Sequence, residues 1–235
     1  MEIVKENKLD KRITLKKGRL EDLNFNYKFD VIVSEWMGYF LLFEGMLDSV
    51  IYARNHYLTP GGYLLPNRCT LHLVGAEDME AYNKYVKFWG DVYGFKMSCM
   101  VREVIKEAST EVVKKDFIFT TSDQLMDFDL MKVNPEDLEF TTEFSLTAER
   151  DANLTSFVGY FDTYFNLPHP VYFSTGPDSP PTHWKQTIFY LPHLKSFKKG
   201  ESIKGTISVK RKKKEIRSLD VTIVFENKKY HYFVE

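Results

Sequence analysis

From Pro66 to its C-terminus the sequence is built of short apolar-rich, β-prone runs separated by turn residues, and this texture constrains the fold more than any other feature. Thr70-Leu71-His72-Leu73-Val74, Phe117-Ile118-Phe119, Leu138-Glu139-Phe140, Val158 to Phe165, Gly205 to Val209 and Leu219 to Phe225 all belong to it. Successive side chains of a strand point to opposite faces, so runs of this kind predict antiparallel β-structure with one face on a core. The aromatic content of 15% supports the same reading, because rings pack well on a pleated, half-buried surface.

Upstream of Pro66 the pattern differs. Phe29-Asp30-Val31-Ile32-Val33-Ser34 is largely apolar and β-branched, which predicts a parallel strand buried on both faces. Met46, Leu47, Val50, Ile51 and Ala53 fit a helix from Glu44 to about His56, stopped by Leu58-Thr59-Pro60-Gly61-Gly62. Strand, loop, helix and Gly-Gly turn form an α/β unit. Residues 3–9 read as the tail of a helix, and Arg12 to Lys16 as a short strand before a turn at Lys17-Gly18. The expected fold class is therefore α/β plus β, divided at Pro66 into residues 1–66 and 67–235.

Two segments interrupt the β texture. Glu77 to Val92 is polar, with Tyr82, Tyr85, Val86, Phe88 and Trp89 at helical spacing, and reads equally as an exposed arm with an aromatic stripe or as a core helix. Lys210 to Arg217 is a basic run between two strands, expected to be a solvated hairpin tip rather than a nucleic-acid contact. A net charge of −1 gives no general attraction to nucleic acid, and no apolar run approaches the ~20 residues of a membrane span. Cys69 and Cys99 lie in apolar surroundings without metal-ligand spacing and follow no secretory signal, so both are expected to be reduced, intracellular thiols, with no metal bound.

The chemistry concentrates in Ser34-Glu35-Trp36-Met37-Gly38-Tyr39-Phe40-Leu41-Leu42-Phe43-Glu44, where two carboxylates bracket a stretch without any other charge. In an open α/β sheet ligands bind beyond the C-terminal ends of parallel strands, which is the position of Glu35, and Glu44 returns across the loop. Two glutamates held together in an apolar pocket repel unless a cation lies between them. A guanidinium suits them, because its planar fork of donors can pair with two carboxylates and it stays charged at any cellular pH. Drawing charge away from one terminal nitrogen would leave the other able to attack an electrophilic methyl, a catalysis of orientation and electrostatics. On spacing alone, however, a helix-capping glutamate with an unrelated exposed one, or a glycosidase-like carboxylate pair, remains open.

Ser34 to Tyr39 followed by Phe43-Glu44 resembles the double-E loop of the protein arginine methyltransferases. Thr182-His183-Trp184-Lys185-Gln186-Thr187 is similar to that family's THW loop, and Val92 to Cys99 to the segment that ends its dimerisation arm. The wording is closest to the type I enzymes, particularly the arginine methyltransferase 3 subfamily. The resemblance implies the C-terminal part of a seven-strand, Rossmann-like methyltransferase domain, joined at Pro66 to a β-barrel whose helical arm, at about residues 77–100, docks on a second subunit in a homodimer. It implies methyl transfer from S-adenosylmethionine to arginine ω-nitrogens, giving mono- and asymmetric dimethylarginine on Gly/Arg-rich or ribosomal proteins, in the cytoplasm or nucleus.

The same resemblance implies catalytic roles for Glu35, Glu44 and His183, substrate contacts for Met37, Tyr39, Met46 and Trp184, and cofactor contacts for Leu20, Glu21 and Met46. From the residues alone, both methionines read as core gap-fillers and His183 as structural. A GxGxG turn, the acidic residue that holds the cofactor ribose and an aromatic N-terminal helix do not occur in the sequence. They are expected to precede Met1, with two or more βα units of ~30 residues. The strands around Ile13 and Val31 would then have open edges, and the isolated chain would act as a catalytically silent fragment or β-barrel interaction module.

Overall fold

Period-two runs become strands here where they are long enough to find partners on both sides. In the computed structural model, which describes residues 1–212, 215 and 217–235, Leu219, Val221, Ile223 and Phe225 point inward and the residues between them are more exposed. The elements run α1 (Glu2–Glu6), β1 (Phe29–Val33), α2 (Leu47–Tyr57), β2 (Leu58–Leu65), β3 (Arg68–Ala76), α3 (Met79–Tyr85) and α4 (Val101–Val104). They continue through β4 (Ser109–Glu111), β5 (Asp123–Asp129), β6 (Phe140–Thr147), β7 (Ala152–Phe165) and β8 (Val171–Ser174). The last four are β9 (Gln186–Phe197), β10 (Ser202–Arg211), β11 (Leu219–Phe225) and β12 (Lys228–Val234).

After Pro66 the named strands pair antiparallel among the described residues, while Glu107 makes an isolated parallel bridge to Phe233. One sheet has the order β4-β9-β7-β3-β5, with β8 added to β7, and the other β12-β11-β10-β6. The two join at both edges into a barrel. At one seam Thr121 N–H donates to Thr147 O (2.9 Å) and Thr147 N–H to the Thr121 hydroxyl (2.9 Å). At the other, Ala108 N–H donates to Phe233 O (2.9 Å) and Phe233 N–H to Lys106 O (2.6 Å). Phe144, Phe157, Phe189 and Tyr232 fill the interior, with Phe157 edge-on to both Phe144 and Phe225. Closure removes the unpaired edges that make open sheets prone to association.

The α/β part is smaller. β1 and β2 pair in parallel, with a register shift between Phe29 and Val31 opposite the Pro60-Gly61-Gly62 turn. The expected strand at Arg12 to Lys16 is not formed, and Ile13 and Leu15 are exposed. Nor is β1 buried on both faces, since Val31 is 47% and Val33 72% exposed. The reason is the same for both segments: a parallel strand is buried by neighbours, and among the described residues β1 has one partner strand.

Other expectations are corrected by local geometry. Phe117-Ile118-Phe119 forms no strand: Lys115–Phe117 is a 3-10 turn and Ile118 makes a single bridge to Ala76. Leu138 closes a 3-10 turn behind Pro135, so β6 begins only at Phe140. The Glu77 to Val92 stretch proves to be both of its alternatives at once. Asp78 caps α3 by accepting from Ala81 N–H (2.9 Å), and Tyr82 and Val86 are buried against Val158, Ile188 and Tyr190 on the outside of the barrel. Phe88, Tyr93 and Phe95, farther along, face solvent. Cys69 is buried, but Cys99 is exposed rather than enclosed by apolar residues; both are free thiols. No helix among the described residues is long and apolar enough to cross a membrane.

The junction of the two parts depends on Gly159 in the middle of β7. A Cβ there would stand 2.2 Å from Cε2 of Phe40, whose ring comes from the loop after β1. Elsewhere alanine in place of a strand glycine stabilises by restricting the unfolded chain, but here the overlap decides the sign. Gly159→Ala should lower the free energy of unfolding by about 1–3 kcal/mol in urea titrations, and a second change, Phe40→Leu, should return part of it.

Candidate active site

The loop between Glu35 and Glu44 is held in a conformation that its residues would not choose. Phe40, Leu41 and Glu44 have φ of +49°, +66° and +76°, in the left-handed region that side chains with a Cβ disfavour. Each such residue costs about 1–3 kcal/mol, which burial of Phe40 and Leu41 at about 1.5–3 kcal/mol apiece roughly offsets. Both are buried, and Phe40 lies edge-on to Phe189 in the barrel wall. The loop closes on itself through Gly38 N–H to Leu41 O (2.9 Å) and Phe43 N–H to Tyr39 O (3.2 Å). Gly38 is required for this closure, since a Cβ would meet Phe43 O at 2.0 Å.

The segment from β8 to β9 approaches the loop from the barrel side. Trp184 donates its indole N–H to Met37 O (2.8 Å), while its ring stacks on Phe173 and stands edge-on to Phe161. His183 packs its ring at 3.9 Å from that of Trp184 and is itself exposed. A cavity of about 570 Å³ opens here, lined among others by Tyr172, Phe173, Thr182, His183 and Trp184. Of the six buried side-chain polar atoms that lack a partner among the described residues, two belong to these segments, the Trp36 indole N–H and the Thr182 hydroxyl. Unmade bonds of this kind are uncommon and call for an explanation, function among them.

The structure thus joins Met37 to Trp184 but does not enclose the two glutamates together. Glu35 is exposed and Glu44 half-buried, so the expected pair of carboxylates sunk in an apolar pocket is not present, and neither lines the cavity beside Trp184. The cause is that the chain leaves β1 at a solvent-facing edge and only the middle of the loop enters the barrel wall. Tyr39 stacks on Phe43 and lines a separate cavity of about 390 Å³ with Tyr85, Tyr190 and Glu235.

Met46, at the N-cap of α2, is 45% exposed and so is no core gap-filler, whereas Met37 is buried. Leu20 and Glu21 form a 3-10 turn against the start of the same helix. Glu21 accepts a short hydrogen bond from the Ser49 hydroxyl, which together with Glu21's own backbone N–H holds its carboxyl below the usual range. Because Ser49 follows Met46 by three residues, Glu21 and Met46 share one end of one helix face.

Two site residues were not legible in the sequence. Glu44 N–H donates to Arg217 O (2.8 Å), and the Arg217 guanidinium donates to Glu44 Oε1 (2.5 Å). Arg211 pairs with Asp48 in the first turn of α2 and also donates to Pro135 O (3.2 Å). Lys210, Glu215 and Arg217 are exposed, as expected of a solvated tip, but Arg211 and Arg217 also reach the loop and helix that follow β1; Lys213, Lys214 and Ile216 lie outside the described residues. The available signal was charge complementarity between this run and the acidic residues around Met46, which sequence distance conceals.

A family model described as the arginine methyltransferase oligomerization subdomain matches residues 67–230. The chain belongs to the protein arginine methyltransferase family. It is 43% identical over 229 residues to protein arginine N-methyltransferase 1 of Saccharomyces cerevisiae, covering 96% of this chain and 66% of that protein. To protein arginine N-methyltransferase 1.1 of Arabidopsis thaliana it is 44% identical, over 95% of this chain and 58% of the relative. The chain therefore spans about three fifths to two thirds of the length of these relatives. Among solved structures, the Trypanosoma brucei PRMT1 enzyme-prozyme heterotetrameric complex with AdoHcy superposes with a TM-score of 0.94 at 32% identity, over 100% of this chain and 77% of that one.

The fold neighbours combine a Rossmann-like domain with a β-barrel, as the motifs implied. The relatives named here carry the number 1 rather than 3, so the motif wording identifies the family and not the methyltransferase 3 subfamily.

Trp184 isolates the link between the two motifs. Trp184→Phe retains an aromatic ring against Phe173 and removes the indole N–H, leaving Met37 O without its donor. A loss of about 1–3 kcal/mol is expected in denaturant unfolding. An unchanged unfolding free energy would show that the bond contributes nothing to holding the loop.

Proposed function

We propose that this protein acts in the transfer of methyl groups from S-adenosylmethionine to arginine ω-nitrogens of proteins, forming mono- and asymmetric dimethylarginine. The observation that carries the reading is Glu44 in the strained loop, bound to a guanidinium, that of Arg217. A carboxylate positioned to hold one guanidinium has the geometry and charge to hold another. Glu35, exposed at the end of β1, is the second anion, and we assign substrate contacts to Met37 and Tyr39 of the loop that joins the two glutamates. Trp184 fixes Met37 through its carbonyl, and His183 lines the barrel side of the substrate path.

In this reading the carboxylates align the substrate guanidinium and draw positive charge toward themselves, so that the opposite terminal nitrogen keeps electron density for attack. S-adenosylmethionine, when bound, supplies an electrophilic methyl on a sulfonium sulfur. The residues present fit one edge of such a group: Leu20 and Met46 offer apolar and thioether surface at the start of α2, and Glu21 an anion beside them. We assign these three the cofactor contacts of this chain. The division at Pro66, with residues 1–66 on the cofactor side and 67–235 on the substrate side, belongs to the same proposal. Gly/Arg-rich or ribosomal proteins are the substrates proposed, in the reducing cytoplasm or nucleus, which suits two free thiols.

With labelled S-adenosylmethionine and a Gly/Arg-rich peptide, Glu35→Gln and Glu44→Gln should each reduce turnover about a hundredfold or more, the usual cost of losing a charge-stabilising group. Methylation at the unmodified rate in either variant overturns the assignment.

A second reading, in which the chain serves as an interaction module without turnover, is favoured by the arm, where Tyr93 is 96% exposed and Phe95 72%. Apolar surface of that kind marks a docking face, and we propose that a second copy covers it in a homodimer. Tyr93→Ser with Phe95→Ser should shift sedimentation from dimer toward monomer; an unaltered distribution places the contact elsewhere.

A further inference from the structure

Arg217 is joined to Glu44 by two contacts that differ in kind. The first is between backbones: Glu44 N–H donates to Arg217 O at 2.8 Å. It holds a residue with φ of +76° in place and does not involve either side chain. The second is the ion pair between the Arg217 guanidinium and Glu44 Oε1, in which the arginine side chain is 70% and the glutamate side chain 37% exposed. One contact fixes the loop, and the other occupies its carboxylate. Removing the side chain from the carboxylate leaves the backbone contact intact.

We propose that Arg217 is a further residue of the substrate site, an internal guanidinium that holds Glu44 in the substrate-free protein and gives it up when a substrate arginine arrives. The proposal rests on the reading of Glu44 as a guanidinium-binding carboxylate. An exposed ion pair is weak, because water solvates both partners and a long side chain must be held still, so displacement is cheap. The exchange swaps one guanidinium for another, so Glu44 keeps a cationic partner throughout and is never left as an unpaired, half-buried anion. In the neighbouring pair the carboxylate of Asp48 is as exposed as that of Glu44, 37% in each, but Arg211 is only 20% exposed against 70% for Arg217, and Arg211 has a second bond to Pro135 O. Arg211 is a fixed anchor, and Arg217 is the exchangeable member.

Competition of this kind lowers the apparent affinity by the fraction of molecules in which Glu44 is free. For a pair of the strength usual at exposed positions, that amounts to about two- to sixfold. The factor is a property of the protein alone, so it is the same for any ligand that needs Glu44.

The test is equilibrium binding of a fluorescent Gly/Arg-rich peptide to the full 235-residue chain by anisotropy, at low and at moderate salt. Arg217→Ala should tighten binding about two- to sixfold, with a smaller gain at higher salt, where the ion pair is screened. Glu44→Gln should weaken binding, and adding Arg217→Ala to it should change nothing further. If Glu44→Gln weakens the peptide but Arg217→Ala leaves affinity unchanged or lowers it, Arg217 is a structural support and the proposal is wrong. If Glu44→Gln itself has no effect, the assignment of Glu44 fails, and the role of Arg217 with it. Far-ultraviolet circular dichroism and thermal melting of each variant separate a changed site from a changed fold.

Discussion

The seating of the loop between Glu35 and Glu44 in the barrel wall is the contact on which the rest of the molecule depends. Phe40 enters over Gly159 and meets Phe189, and its neighbour Leu41 is wholly buried. The backbone that allows this is unfavourable at three positions, and the burial it achieves is of similar magnitude. Neither term wins by much. The balance is tipped by bonds that exist only in the assembled state, within the loop and from Trp184 to Met37 O. The loop therefore takes its shape from the barrel, and the glutamates at its ends take their positions from the loop.

Charge completes the junction from the other side. Arg211 and Arg217, near the turn between β10 and β11, reach Asp48 and Glu44 at the start of α2. Apolar contact from β7 and β9 and ionic contact from the β10–β11 end thus hold one short segment between them. The small parallel sheet has no comparable enclosure. β1 pairs with β2 and shows much of Val31 and Val33 to solvent. The site-forming loop is fixed by the barrel it touches more than by the strand it leaves.

Much of the barrel was readable in the residues. β3, β7, β10 and β11 appear where apolar residues recur with turns at their ends, because period two matches a pleated sheet whose inner face is a core. Failures share a cause as well. Arg12 to Lys16 and Phe117 to Phe119 have strand-like composition, but a strand exists only where a partner offers its backbone bonds. Ile118 finds one bridge and Ile13 finds none. The Glu77 to Val92 stretch was ambiguous for a sound reason: Tyr82 and Val86 cover the outside of the barrel while Phe88 faces solvent.

Composition, periodicity and two motifs in order determined the fold class, the family and the segments in which chemistry would be found, since these depend on residues close together in the chain. Sequence could not say that Glu44 would meet Arg217, 173 positions away, or that Glu35 would stay exposed. Burial and ion pairing are properties of what closes over a residue. Closure of the barrel decides them, because it alone sets which distant side chains arrive at the same place.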